Sequence, residues 1–372
     1  MNNVAATKLN GIIEKGRVLA QAGMEALARE YQFRNDFIAR ADAVDVEFQV
    51  VKDGVAELAT AESRGAKMTL QVKSGDTRMA YGLTDHARSQ LLTRAGIPGG
   101  FADFLESKGQ YGLLRENVQR LVPVVSKEGV LVREVNGLAK GILSPSYKRL
   151  DASPLFEAYA SASLRMGYVP YTGEVTDTRA FLSFIGQDII EPFPGEYLVV
   201  GTELRTSDYG RGAFQLALSV LRLLCTNGLI GNDILRKVHL GRRFDTSEYE
   251  GSVIQLSKRT MELDAATVRS ALLDTFKTIP ARQEELVKNL QLAAGKELNL
   301  RAALDGLRKK LPKETVERVK TTYENTALPV EAVPQEPGRW RFSQVLSLLA
   351  NSEKNADAAA DLRDVAFEAL AA

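Results

Sequence analysis

The residues best suited to chemistry lie between positions 209 and 243, where a long apolar segment is followed by a polar turn and a basic segment. The turn is Cys225-Thr226-Asn227-Gly228, and the basic segment holds His239, one of two histidines in the chain. Residues 205–243 carry seven basic and two acidic residues, while the net charge of the whole chain is only +1. Positive charge is therefore concentrated in this part of the sequence.

Two groups of cations are candidate contacts for phosphates, which Lys and Arg bind with release of condensed counterions. One group lies on either side of the polar turn and consists of Arg222, Arg236, Lys237, His239, Arg242 and Arg243. The other is Tyr147-Lys148-Arg149, where an aromatic ring suited to base stacking adjoins two cations. The predicted nucleic-acid contacts are Tyr147, Lys148, Arg149, Arg222, Arg236, Lys237, His239, Arg242 and Arg243.

Both groups also allow a structural interpretation. The basic residues could form a solvated edge that discourages sheet aggregation, and the tyrosine could be half-buried in a sheet. Arg133, Lys140 and Arg179 would extend a cationic groove only if they share its face.

Cys225 with Asn227 and His239 could supply a nucleophile, a base and an orienting group. Cys225, however, follows two leucines, and a free cysteine in an apolar run is usually a small buried side chain. Asn227-Gly228 is typical of a turn. We therefore assign Cys225, Asn227 and Gly228 structural roles and predict no catalytic residue. An enzyme that uses carboxylates stays an open hypothesis, although no carboxylate pair has a recognisable spacing.

Other features argue against several classes of site. A single cysteine excludes an intramolecular disulfide and a zinc site built on cysteines of one chain. The two histidines are far apart without acidic neighbours at ligand spacing, so we expect no metal. No glycine-rich phosphate loop is present, and we expect no cofactor. The N-terminal residues show no apolar run of the length of a signal peptide, and no later segment approaches ~20 apolar residues, so we expect a cytoplasmic protein with no membrane partner.

The sequence pattern around these residues predicts strands and helices that together indicate an α+β fold. Residues 130–135 and 138–143 alternate around Asn136-Gly137, the strongest short signal for a hairpin. A helix capped by Asp151 or Ser153 follows. Strands are then predicted over residues 168–175, 179–185 and 197–204. The result is an antiparallel sheet core of order β-β-α-β-β-β, covered by helices.

The remaining segments are assigned by their periodicity. Thr84 or Asp85 is predicted to cap a helix that continues to residue 94. A strand is predicted from Ala213, and this segment could become helical before Asn227. The predicted divisions are 1–80, N-terminal helices and strands; 81–250, the α+β core; 251–325, a helical region; 326–339, a proline-containing linker; and 340–372, C-terminal helices.

Several motifs together resemble one protein family. They are Leu83-Thr84-Asp85-His86-Ala87 with Gly96-Ile97-Pro98, the segment from Leu143 to Asp151, Arg222-Leu223-Leu224-Cys225-Thr226-Asn227-Gly228, Val238-His239-Leu240-Gly241, and Trp340-Arg341-Phe342. Over residues 80–350 the chain resembles domain of unknown function 932, the phage- and plasmid-like proteins. The last helix departs from the family pattern at Trp340-Arg341 and Leu346-Ser347.

The resemblance implies a protein of mobile DNA, and the predicted core is similar in outline to phage single-strand annealing proteins. Topology alone does not fix function. The leading hypothesis is a protein that binds single-stranded nucleic acid in recombination, annealing or DNA protection, as a homo-oligomer in the bacterial cytoplasm. The alternative is a non-enzymatic interaction protein that binds a host protein, to counter defence or redirect replication.

Overall fold

A computed structural model describes residues 3–52, 54–147, 150–223, 228–237, 258–294, 296–330 and 332–371. Within these ranges the chain is α+β, with two sheets and a helical C-terminal region, which confirms the predicted fold class. None of the described helices is long and apolar enough to cross a membrane.

The first sheet has seven strands in the order β1-β6-β7-β5-β4-β2-β3. Its strands are β1 (Arg34–Ala39), β2 (Val44–Lys52), β3 (Val55–Leu58), β4 (Lys67–Ser74), β5 (Thr77–Leu83), β6 (Val130–Val135) and β7 (Leu138–Leu143). All neighbours are antiparallel except β5 and β7, which pair in parallel over two residues. Residues on both sides of position 80 therefore contribute strands to one sheet.

Helices cover one face of this sheet: α2 (Asp85–Ala95), α3 (Gly99–Ser107) and α4 (Tyr111–Val125). The core between them contains Leu70, Leu91, Leu114 and Val132. As predicted, Thr84 caps α2, because its side chain accepts a hydrogen bond of 3.1 Å from the amide of Ala87.

The hairpin of β6 and β7 is also confirmed. Asn136 and Gly137 have φ angles of 52° and 81°, the left-handed pair that a tight two-residue hairpin turn requires. Asparagine and glycine adopt these angles at the lowest cost, which is why this dipeptide was a reliable signal.

The second sheet is an antiparallel meander in the order β12-β11-β10-β9-β8. Its strands are β8 (Val169–Val175), β9 (Ala180–Ile185), β10 (Leu198–Thr206), β11 (Phe214–Arg222) and β12 (Gly228–Lys237). The residues from Phe214 to Arg222 are thus strand, and residues 224–227 lie outside the described part.

The strand order β-β-α-β-β-β is present, but its strands divide between the two sheets. The first two are β6 and β7, and the helix is α5 (Ala152–Arg165). Phe156 and Tyr159 of α5 pack on the second sheet, and the hydroxyl of Tyr159 bonds to Thr202. Helix α5 therefore connects the first sheet to the second and packs on the second.

The C-terminal region contains α6 (Lys258–Phe276), α7 (Ile279–Ala294), α8 (Leu300–Leu307), α9 (Lys313–Glu324), α10 (Arg339–Ser352) and α11 (Ala356–Ala371). Their apolar side chains join the core of the second sheet, as Leu272 and Phe342 illustrate. The proline-containing segment before α10 contributes Val333, which is fully buried in the same core.

Helix α1 (Asn3–Phe33) crosses β8 at a close approach made by small residues. A Cβ atom on Gly16 would lie 2.6 Å from the carbonyl oxygen of Pro170, and one on Gly23 would lie 2.6 Å from the carbonyl carbon of Gly173. Ordinary contacts between carbon and these atoms are well above 3 Å, so side chains at these two positions would push the helix off the strand.

Substitution of Gly16 tests this contact. We expect Gly16→Ala to lower the free energy of unfolding by about 1–3 kcal/mol, because the backbone of β8 must shift to admit the methyl group. Gly11 of the same helix has open space around it, so Gly11→Ala should instead stabilise by about 0.5–1 kcal/mol. Urea denaturation measures both changes, and equal stability of the two variants would contradict the close packing.

Candidate functional site

A buried ionic cluster joins the two sheets, and Arg133 of β6 lies at its centre. Arg133 is 0% exposed. Its guanidinium donates to Asp36 at 3.0 Å, to Asp151 at 2.7 Å and to the carbonyl oxygen of Asp208 at 2.7 Å. Burial disfavours the charge, but the carboxylates of Asp208, Asp36 and Asp151 outweigh it and hold the pKa of Arg133 above its usual range.

Arg34 completes the connection between the sheets. It begins β1 in the first sheet and donates to Asp151 at 2.5 Å and to Asp208, which follows β10 in the second sheet. Asp208 also accepts a hydrogen bond of 3.0 Å from the amide of Ala152. Asp151 occupies the N-cap position of α5, yet its side chain makes no cap hydrogen bond and binds the two arginines instead.

The neighbouring Tyr209 extends the cluster to α1 and β7. Its hydroxyl donates to Glu30 at 2.8 Å, and Glu30 also binds the ammonium group of Lys140. Gln90 of α2 donates to the carbonyl oxygen of Tyr209 and accepts from the amide of Ile142. We name Arg34, Asp36, Arg133, Asp151 and Asp208, with Glu30, Lys140 and Tyr209, the ionic junction.

The ionic junction removes two cations from the predicted groove. Arg133 and Lys140 are buried and bound by carboxylates. Arg179, a third candidate, lies 3.2 Å from Asp361 and donates to the carbonyl oxygen of Arg211. The expectation that these residues could extend a cationic groove is therefore wrong for Arg133 and Lys140, because their charge is neutralised within the fold.

Tyr147 lies beside the ionic junction. It is half-buried, its hydroxyl donates to the carbonyl oxygen of Ser207 at 3.3 Å, and burial raises the pKa of its phenol. Tyr147 is thus half-buried, as in the structural interpretation, but it lies between β7 and α5 and not in a sheet. Lys148 and Arg149 lie outside the described residues.

The assignment of Arg222 to a nucleic-acid surface is wrong. Its side chain is 1% exposed, and its guanidinium donates to both carboxylate oxygens of Glu196, at 2.6 and 2.7 Å. It also donates to the carbonyl oxygen of Val330 at 3.3 Å. A phosphate could reach this guanidinium only by displacing a buried bidentate pair, so Arg222 fixes the segment before α10 instead.

The other predicted residues are only partly described. Gly228 begins β12, and Arg236 and Lys237 end it, opposite Gln215 and Phe214 of β11. In the strand order β12 is at one edge of the second sheet. Cys225, Asn227, His239, Arg242 and Arg243 lie outside the described part of the chain, so their predicted roles stay predictions.

A different basic surface joins α8 to α9. Arg308, Lys309, Lys310 and Lys313 are exposed and fall within six residues, and we call them the basic turn. Arg308 pairs with Asp305 at 2.5 Å, and Lys310 pairs with Glu368. Lys309 and Lys313 have no ion-pair partner among the described residues. Short runs rich in Lys and Arg are a known signal of nucleic-acid contact, and our sequence analysis missed this one.

Within the described ranges, no group of three or more His, Cys, Asp or Glu side chains is arranged to hold a metal ion. Comparisons of the chain with known proteins gave no match to a protein-family model, a curated protein or a solved structure. The resemblance to domain of unknown function 932 therefore stays a prediction.

Removal of the central cation tests the ionic junction. We expect Arg133→Met to lower the free energy of unfolding by about 3–5 kcal/mol, because it removes the counter-charge of Asp36 and leaves Arg34 as the one arginine bound to Asp151 and Asp208 in the described structure. Arg120→Met is the matched control: among the described residues Arg120 pairs only with Glu116, at the surface, so the substitution should change stability by less than about 0.5 kcal/mol. Similar losses in the two variants, measured by urea denaturation, would contradict a structural role for Arg133.

Proposed function

We propose that the protein binds single-stranded nucleic acid without sequence preference, with the basic turn as a principal contact. The observation that carries the proposal is the exposure of four cations within six residues, two of which have no carboxylate partner among the described residues. Exposed, unpaired lysines can bind phosphates at little cost, because no internal ion pair must be broken.

The N-terminus of α9 adds positive potential at Lys313, in a first turn that also contains Glu314. Lys313 begins α9, whose first backbone N–H groups have no partner within the helix and carry partial positive charge. Arg308 and Lys309 follow the last residue of α8. The charged groups lie on long, exposed side chains, which suits contact with a flexible phosphate backbone better than recognition of base edges.

The family resemblance supplies the biological setting of the proposal. A phage- or plasmid-like protein that binds single strands would act in recombination, annealing or protection of DNA, as a homo-oligomer in the bacterial cytoplasm. The proposal keeps as further phosphate contacts Lys148, Arg149, Arg236, Lys237, His239, Arg242 and Arg243. It keeps Tyr147, which precedes Lys148 in the sequence, as an aromatic contact.

Fluorescence anisotropy of a labelled oligothymidylate tests the proposal. We expect salt-sensitive binding that is weaker in Lys309→Ala/Lys313→Ala. If each lysine makes one phosphate contact, the slope of log K against log salt should become shallower by about 1.4, from a loss of about 0.7 per contact.

The control variant is Lys15→Ala/Arg17→Ala, which removes the same charge from exposed positions of α1. Equal losses in both variants would indicate general charge attraction and contradict a contact at the basic turn. A duplex of the same length is the second arm, because equal or tighter duplex binding would contradict a preference for single strands. No binding at low salt would remove nucleic acid from the proposed function.

A specific observation favours the alternative, binding of a host protein. Phe101 and Phe104 of α3 are 45% and 56% exposed, and Leu113 of α4 is 45% exposed. Phenylalanines three residues apart lie on one side of a helix, so they form an exposed aromatic patch. Contiguous exposed apolar residues commonly mark interaction surfaces.

The variant Phe101→Ser/Phe104→Ser tests this alternative. We expect it to lose a host protein that the unmodified chain retains from nuclease-treated lysate. Val51→Ser/Val55→Ser removes two other exposed apolar side chains and should keep that protein. Retention by the phenylalanine variant would show that the patch on α3 is not the binding surface.

A further inference from the structure

A small cavity lies over one face of the second sheet, between α1 and the last two helices. Its volume is about 160 Å³. Four strands, β8 to β11, form the floor, Leu19 of α1 lies on one side, and Ala360 and Arg363 of α11 lie on the other. The cavity is below the roughly 300–1,000 Å³ of drug-sized sites, so its ligand would have few heavy atoms.

Glu203 gives the cavity a buried negative group. It is 6% exposed and lies between Ser183 of β9 and Ala217 of β11 in the strand register. One carboxylate oxygen accepts a hydrogen bond of 2.8 Å from Ser183, and the other has no hydrogen-bond partner among the described residues. A buried carboxylate oxygen without a donor is costly, so this one is suited to a ligand that supplies a donor.

Arg205, the cation of the same strand β10, binds a carboxylate other than Glu203. Arg205 instead donates to both oxygens of Asp364 in α11, at 2.7 Å. Burial raises the pKa of Asp364 to about 6, against the opposing effect of Arg205. The pair fixes α11 over the sheet and leaves the free oxygen of Glu203 unpaired.

Arg363 gives the cavity a positive group on the opposite wall. Its side chain is half-buried, lines the cavity and has no ion-pair partner among the described residues. Glu203 and Arg363 are therefore a buried anion and a half-buried cation that line one cavity without pairing with each other, and the exposed Glu174 lies at the same lining. Phe181, Ile185 and Leu221 add apolar surface to the lining.

We propose that this cavity binds a small zwitterion with an aliphatic side chain, the chemistry of a free amino acid. The ammonium group would donate to the free oxygen of Glu203, and the carboxylate would accept from the guanidinium of Arg363. The aliphatic group would contact the apolar lining. Opposite charges on the ligand would satisfy both unpaired groups at once, which a single cation or anion cannot do. This proposal does not depend on nucleic-acid binding.

Three probes of matched shape separate the two charged contacts in isothermal titration calorimetry with the full chain. The probes are L-leucine, 3-methylbutylamine, which lacks the carboxylate, and 4-methylpentanoate, which lacks the ammonium group. We expect leucine to bind with higher affinity than either single-charge probe. The variants are Glu203→Gln and Arg363→Gln, with exposed Glu262→Gln and Arg259→Gln as controls of equal charge change.

Glu203→Gln should weaken leucine and the amine by about 10-fold or more and leave the carboxylate probe unchanged. Arg363→Gln should weaken leucine and the carboxylate probe and leave the amine unchanged. Circular dichroism confirms that each variant is folded, and Arg363, at the half-exposed wall, provides the test if Glu203→Gln does not fold. Absence of saturable leucine binding over the millimolar range, or cavity variants that behave like the controls, would overturn the proposal.

Discussion

The buried guanidinium of Arg133 imposes the constraint on which the two-sheet arrangement depends. A charge with no solvent exposure is tolerated only when carboxylates and carbonyls surround it with good geometry. Arg133 meets this requirement with groups from three places in the chain: Asp36 on the neighbouring strand, Asp151 at the start of α5, and Asp208 after β10. Each of these segments must reach its position for the charge to be satisfied, so the pairing links the first sheet to the second.

This constraint also decides which cations are available to a partner. Arg133, Lys140 and Arg222 are all bound internally, although each belongs to a strand whose sequence is compatible with a basic groove. In the basic turn, by contrast, Lys309 and Lys313 are exposed. The net charge of +1 thus includes two groups of cations. One group is bound by carboxylates within the fold, and the other is exposed and available to bind an anion.

Local signals in the sequence predicted local structure well. The Asn136-Gly137 turn, the Thr84 cap and the strands from β6 to β11 follow from backbone preferences and alternation, which need no knowledge of distant residues. Strands β1, β3 and β5 were missed. β1 directly continues a helix, β3 has only four residues, and much of β5 is exposed, so none shows a clear apolar alternation.

The site residues were harder to predict because their roles depend on partners distant in sequence. Nothing local to Arg222 shows that Glu196 lies across from it, and nothing local to Glu203 shows that one of its oxygens lacks a donor. Residue type gives the charge, but burial decides whether that charge is structural or available. The basic turn differs, because its four cations stand within six residues of the sequence; this run could have been found from the sequence but was missed.

We infer that the ionic junction makes the two sheets one cooperative unit. Native-state hydrogen exchange in low denaturant measures this directly, because it reports the free energy at which each buried amide opens. We expect the slowest amides of β6 and β10 to open at one free energy, that of global unfolding. If the amides of one sheet open at a clearly lower free energy while the other sheet stays protected, the sheets are separate units and the ionic junction does not couple them.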